Sequence, residues 1–422
     1  MMVNGVRAKV FAVTAALLMC TSCGNAVQSQ EVNLPPLKQQ QLKPSNIHFY
    51  VNKQPEGRNP QSKYKFISSA GLKSQSLARP FKARKLSVPA QPVKGIYVSG
   101  WVAGSKKRLD RLIQLVDRTD LNAMVIDVKN DYGQLTYKSA LPEVNDIGAD
   151  RHAAIGDIQG LLRRLKDKHI YVIGRIVTFK DPLYAKTYPT MALQRKSGGV
   201  WRDVQGKAWL DPFQEQVRAY NAAIAREAAA IGFDEIQFDY VRFPDNGGKV
   251  DREVKFSSSR GGKTKSQVIS QFLKEATGGV HAEGARVSAD VFGLVTSSTN
   301  DMGIGQSWRA ISSVVDVISP MTYPSHYSTG MYGVKQPDLS PYAIIQHAMM
   351  DANHRNSLIR SSGVDPSPAI IRPWLQSFTA KWVHPHQQYG AEQVNNQVRA
   401  ARKQGVHEFL LWSSNCKYDY RS

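Results

Sequence analysis

Eight strand-like stretches alternate with seven helix-like ones between Gly95 and Trp412, and this alternation predicts an α/β fold, a (β/α)8 TIM barrel. Two observations favour closure into a barrel over an open doubly wound sheet. The eight units fill about 325 residues, within the range of that barrel. No glycine-rich dinucleotide fingerprint opens the first helix.

The first strand lies in KGIYVSGW and precedes the helical SKKRLDRLIQLVDRT, whose apolar residues recur at three- and four-residue spacing. The apolar AMVIDVKND follows, then the helix GDIQGLLRRLKDKH. YVIGRIVTF leads through a long loop to DPFQEQVRAYNAAIAREAAAIG. The fourth strand is in DEIQFDYVRFPD, with a Gly/Ser/Lys-rich loop and the helix KSQVISQFLKEATG behind it. RVSADVFG, VDVISPMTY, AIIRPWLQSF and EFLLWSS complete the strands. Helices are expected near Trp308, in SPYAIIQHAMMDANH and in AEQVNNQVRAARKQG, and a helix after the eighth strand is missing or vestigial.

Residues 1–23 read as an export signal: Arg7 and Lys9 precede VFAVTAALLMC, an apolar run too short for a stable span. MCTSCGN resembles a lipobox, with Cys23 as the lipid-attachment residue, although Cys20 stands where a Leu is usual. Cleavage before Val27 is the alternative, giving a periplasmic or secreted protein instead of a lipid-anchored one in the cell envelope. Residues 24–94 carry 12 Lys and Arg against 2 Glu and are rich in Pro, Gln and Ser. They read as a basic, disordered linker, suited to an anionic envelope surface or to solubility alone. The whole chain of 422 residues has a formal net charge of +21, but an exported protein does not meet nucleic acid as its partner. Membrane attachment is expected through the lipid anchor only. The barrel domain is 95–422, and its single Cys416 forms no disulfide framework.

Polar residues on the strands carry the functional reading. Each barrel strand has one face towards the helices and one towards the axis, and the axial face opens into a mouth at the C-terminal strand ends. In the fourth strand, Ile236, Phe238 and Tyr240 alternate with Gln237 and Asp239, which point into the mouth; Arg242 follows shortly after. A buried unpaired carboxylate is costly, so an axial Asp needs partners, water or a chemical task. Asp127 and Lys129 share one face of the second strand, Arg175 interrupts the third, and Ser288 and Asp290 lie on the fifth. Tyr97, Ser99 and Trp101 come from the first, Tyr323 from the sixth, Arg372, Trp374 and Gln376 from the seventh, and Trp412 from the eighth. Carboxylates, planar hydrogen-bonding groups and aromatic rings together suit a saccharide. Glycosidic cleavage needs two carboxyl groups, and Asp239 and Asp290 end adjacent strands. Asp127 is a third candidate, and Asp131, Asp211 and Asp245 lie in loops within reach.

GIYVSGW, MVIDVKNDYG, GRIVTFKD, GFDEIQFDYVRFP, VSADVFG, DVISPMTYPSHY, RPWLQSF and FLLWSS together resemble a bacterial family of glycoside-hydrolase-like domains of uncharacterised function. The resemblance implies a TIM barrel distantly akin to the α-amylase and α-galactosidase types. It also implies the nucleophile's role for Asp239 at the end of the fourth strand. Where amylase-like barrels place a glutamate acid, this sequence has the shorter Asp290. The expected function is hydrolysis of a bacterial envelope or extracellular polysaccharide, with no cofactor.

Two other classes fit parts of the pattern. A polysaccharide-binding barrel without turnover would keep the aromatic residues. A metal-dependent carbohydrate deacetylase would use His384, His386 and His326, but no metal-binding spacing such as HExxH is present. The loop NGGKVDREVKFSSSRGGKTK reads either as a mobile flap for an anionic polymer or as a disordered insertion.

Overall fold

The computed structural model describes residues 85–363 and 367–421. The signal segment, Cys23 and nearly all of the proposed linker lie outside the described residues.

Eight parallel strands close into a barrel: β1 (Lys94–Val98), β2 (Ala123–Lys129), β3 (Tyr171–Val177), β4 (Glu235–Asp239), β5 (Arg286–Phe292), β6 (Val317–Met321), β7 and β8 (Phe409–Trp412). β7 comes in two pieces, Ile370–Ile371 and Trp374–Gln376, because Pro373 has no N–H to give to a neighbouring strand. The first piece pairs with β6 and the second with β8, and β8 pairs with β1 to complete the ring. Strand residues are buried on both faces, as a parallel sheet enclosed by helices requires.

A helix follows each of the first seven strands: α1 (Lys106–Asp117), α2 (Ile158–Lys166), α3 (Glu215–Ile231), α4 (Lys265–Ala282), α5 (Trp308–Ser312), α6 (Pro341–Ser361) and α7 (Ala391–Lys403). Local signals set their ends. Asp157 accepts the Gly160 N–H at the start of α2, and Thr264 and Gln267 form a capping box on α4. On α1 the apolar stripe of Leu109, Leu112, Ile113 and Val116 is buried. Gly174 is needed in β3, since a Cβ there would stand 2.9 Å from Val128 and 3.0 Å from Phe233.

Among the described residues no helix follows β8. The terminal segment instead returns to β1, where Tyr418 donates its hydroxyl to the Tyr97 carbonyl and the Cys416 sulfur accepts the Ser99 N–H. No helix among the described residues is long and apolar enough to cross a membrane.

Two departures from simple alternation shape the site. The β2–β3 register shifts between Asp127 and Lys129, a bulge that breaks the expected common face of these residues. β4 ends at Asp239, and Tyr240 turns to φ +49°, outside the strand conformation. Its ring therefore lies beside Lys180, Trp209 and Arg242, and does not join Ile236 and Phe238 on the helix-facing side. The Gly/Ser/Lys-rich loop after β4 is also folded. Gly247–Glu253 is helical, and Val254–Lys255 pairs antiparallel with Gln194–Arg195 from the β3–α3 connection. The Phe256 ring packs on Phe213 and Phe243, which fastens this insertion to the barrel.

Candidate active site

Asp127, Arg175, Asp239 and Asp290 stand at the C-terminal ends of β2 to β5. The register pairs Phe238 with Ala289, so the next residues, Asp239 and Asp290, are neighbours. Arg175 reaches from β3 to both carboxylates beside it. Its Nε and Nη2 donate to Asp239 Oδ2 at 3.0 and 2.6 Å, and its Nη1 to Asp127 Oδ1 at 2.6 Å. Asp239 Oδ1 accepts the Tyr240 N–H at 2.6 Å. The Tyr97 hydroxyl donates to Asp127 Oδ2 at 2.6 Å.

Asp290 has no cation in contact. Its Oδ1 accepts the Trp374 indole N–H at 2.8 Å, and its Oδ2 has no hydrogen-bond partner among the described residues. Burial, reinforced by the negative charge of Asp239, pushes the Asp290 carboxyl well above its ordinary range, against the pull of Trp374 and Arg175. Burial works against the Arg175 guanidinium, yet Asp239 and Asp127 hold it well above its usual value. The cluster thus has a cation-bound aspartate beside one whose pKa burial raises.

Aromatic rings surround these groups. Tyr97 and Trp412 lie 4.3 Å apart, with the Arg175 guanidinium 5.6 Å and 5.3 Å from the respective ring centres. Tyr97 borders a hollow of about 200 Å³ that Asp127, Trp101, Tyr132 and His152 also line. Trp412 borders another of about 530 Å³, shared with Tyr323, Phe378, Trp382 and Tyr389. The two rings stand between the hollows. Asp239 and Asp290 line neither hollow, at 6% and 1% exposure.

The remaining sequence-predicted residues divide by position. Trp101 is 63% exposed and borders the smaller hollow; Tyr323 and Trp412 border the larger. Trp374 is buried and orients Asp290, leaving no ring face for a saccharide. Arg242 is buried among Trp209, Tyr240 and Phe292 and pairs with Asp245, so it stiffens the rim. Gln376 spends its amide on the Asp338 carboxylate, the Phe378 carbonyl and the Ser325 N–H, tying the loops after β6 and β7 together.

Three expectations are corrected. The bulge turns Lys129 off the axis, into a fully buried contact with Asp181 at 2.9 Å and Asn221 of α3 at 2.7 Å. Gln237 lies one axial layer deeper than Asp239, fully buried, with Ser319 as its partner. Arg372 is at the opposite end of the barrel, held by Glu235 and Glu408, each at 2.7 Å.

Of the loop Phe378–Tyr389, the sequence pattern picks out only His384 and His386, as metal ligands, and not its aromatic residues, although Phe378 ends RPWLQSF. Phe378 and Trp382 stack at an interplanar angle of 15°, and Trp382 is 47% exposed. Aromatic residues beside Lys381 in a loop after a barrel strand were the available signal. His384 and His386 have ring centres 5.5 Å apart, and among the described residues no group of three His, Cys, Asp or Glu is placed to hold a metal ion.

The fold is a (β/α)8 barrel with its acidic cluster at the C-terminal strand ends. The chain belongs to the family described as "Putative glycosyl hydrolase domain", whose model matches residues 95–418. No curated protein matches it in sequence. A hypothetical protein of Ruminiclostridium thermocellum is 37% identical over 50% of this chain and 98% of its own, with a TM-score of 0.42. The glycoside hydrolase domain of PgaB (BpsB) from Bordetella bronchiseptica is 14% identical over 77% of this chain and 95% of that one, with a TM-score of 0.55. A β-galactosidase from the psychrophilic Marinomonas ef1 is 12% identical, covering 76% and 54%, with a TM-score of 0.51. At these identities the last two likenesses concern the fold.

Proposed function

We propose that the protein hydrolyses glycosidic bonds of a bacterial envelope or extracellular polysaccharide, with Asp239 as nucleophile and Asp290 as acid and then base. The observation that carries this reading is the unequal treatment of two neighbouring carboxyls: Arg175 binds one, while the other is buried with only the Trp374 N–H as partner and burial raises its pKa. Asp239 Oδ2 takes two hydrogen bonds from Arg175, whereas Oδ1 takes one and retains a lone pair for attack on the anomeric carbon. As the glycosidic C–O bond breaks, Asp290 Oδ2 gives its proton to the departing oxygen. Asp290, now a carboxylate, takes a proton from the water that attacks the same carbon and frees Asp239. Neighbouring strands lie about 4.8 Å apart, a scale that suits the short carboxyl separation of retaining enzymes.

The larger hollow supplies a seat for a sugar ring, with Trp382 and Phe378 offering faces for its C–H groups. The reading includes export and lipid attachment at Cys23, for which the N-terminal apolar run and MCTSCGN are the support.

Reducing-end release from a panel of bacterial polysaccharides, with Asp239→Asn alongside the wild type, tests the proposal. Release by the wild type and none by the variant supports it. Saturable polysaccharide binding without release by either protein would establish the second reading, a binding barrel, which the burial of both carboxyls and their absence from the two hollows favour.

A further inference from the structure

A third hollow, of about 470 Å³, lies on the mouth face away from both aromatic ones. Its walls come from the connections after β3, β4 and β5: Lys196, the segment from Asp251 to Lys265, and Asp301 with Gly303. These connections leave the C-terminal strand ends, so the hollow shares a face with Asp239 and Asp290.

Its charge is unbalanced. Lys196, Lys255, Arg260 and Lys265 line it, against Asp251 and Asp301. Lys265 already neutralises Asp251 at 2.7 Å and donates to the Gly303 carbonyl. Asp301 accepts the Gly303 N–H at 3.0 Å. Among the described residues, Lys196, Lys255 and Arg260 form no ion pair, although the charge of Arg260 acts on the buried Asp211 carboxyl. Gathering three such cations costs free energy unless an anion joins them.

Two of these cations are also held at their charged ends, and the third is placed by its backbone. Lys255 sits on the ribbon paired with Gln194–Arg195, and Lys196 donates to the Asp251 carbonyl at 2.9 Å. The Arg260 guanidinium lies 5.4 Å from the Phe213 ring centre and 5.7 Å from that of Phe256, and its Nε donates to the Lys263 carbonyl. Its two terminal nitrogens remain for a bidentate partner. The Ser257 N–H donates to Asp211 Oδ2 at 2.8 Å, anchoring the segment that bears Arg260.

We infer that this hollow binds carboxylate groups of an acidic glycan, which makes a uronic-acid-type polysaccharide the substrate class. The inference rests on the proposed glycan-directed reading of the mouth, but its test does not require turnover.

The experiment is affinity electrophoresis of the full chain in gels containing polygalacturonate or neutral dextran. Asp239→Asn serves as the background, so that no hydrolysis interferes. Replacing Lys196, Lys255 and Arg260 with Gln together should weaken polygalacturonate retention by about tenfold, as three exposed charge contacts allow. Retention by dextran, measured against a polysaccharide-free gel, should stay unchanged. A matched variant with Lys53, Lys63 and Lys65 replaced by Gln should keep most of the polygalacturonate retention. Equal retention of the hollow variant and its parent, or loss confined to the Lys53/Lys63/Lys65 variant, would overturn the inference. If the hydrolase reading fails while the hollow variant still loses retention, the anion site stands without it.

Discussion

The two ends of the barrel each bury an arginine between carboxylates, yet they are built for different purposes. At the base, Arg372 lies between Glu235 and Glu408, and Arg372 and Glu235 are fully buried. At the mouth, Arg175 lies between Asp127 and Asp239, and a third carboxyl, Asp290, is adjacent without a cation in contact. The base has a cation touching every carboxylate in the cluster, and one Arg372 terminal nitrogen, Nη2, has no hydrogen-bond partner. The mouth uses Nε and both terminal nitrogens of its arginine and still leaves the Asp290 carboxyl without a cation in contact among the described residues. At the base every carboxylate touches the cation, an arrangement that holds a fold together, whereas at the mouth Asp290 is buried beside the Arg175-bound Asp239 without such a contact and burial raises its pKa.

This contrast breaks if mutations at the two ends behave alike. The largest effect is expected for Asp239→Ala, which should reduce polysaccharide hydrolysis by roughly 10³-fold or more while the chain still folds. Product release and a far-ultraviolet melting curve check both halves; retained activity would remove the nucleophile assignment. At the base, Arg372→Ala should cost about 3–5 kcal/mol of stability, because it leaves the buried Glu235 and the half-buried Glu408 without their cation. Urea denaturation measures that loss. Arg372→Met should recover part of it, since Met restores apolar volume.

Asp290→Asn should lower hydrolysis by about 10²–10⁴-fold while retaining the Trp374 hydrogen bond through its carbonyl oxygen. It also sharpens the comparison through pH. Burial raises the Asp290 pKa in the folded state, so the folded protein keeps a proton that the unfolded chain releases. The resulting stabilisation is complete below the ordinary carboxylate range and is lost as pH rises through the raised value. Wild-type activity should fall over the same rise as the acid loses its proton. The asparagine variant should lack that part of the stability slope, and an unchanged slope in unfolding titrations would separate Asp290 from it. The smallest effect is expected at the sugar seat: Trp382→Ala should raise KM about tenfold with kcat nearly unchanged, in steady-state kinetics on a polysaccharide that the wild type cleaves.

Much of this was written along the chain. Strand periodicity, seven helices and the DEIQFDYVRFPD segment determined the barrel and placed Asp239 at a strand end, because alternation of side chains and burial on both faces are local properties. Adjacency of Asp239 and Asp290 followed from strand order once closure was accepted.

What only the tertiary structure decided was the direction and company of each polar side chain. A one-residue bulge sent Lys129 to α3, depth along the axis separated Gln237 from Asp239, and a split seventh strand left Arg372 at the base with Trp374 beside Asp290. The Phe378–Trp382 stack and the ordered cations near Arg260 arise where loops from distant parts of the chain pack together. Sequence pattern reports which residues are polar and how often they recur, but charge pairing depends on distances across the barrel. Those distances exist only after the ring has closed.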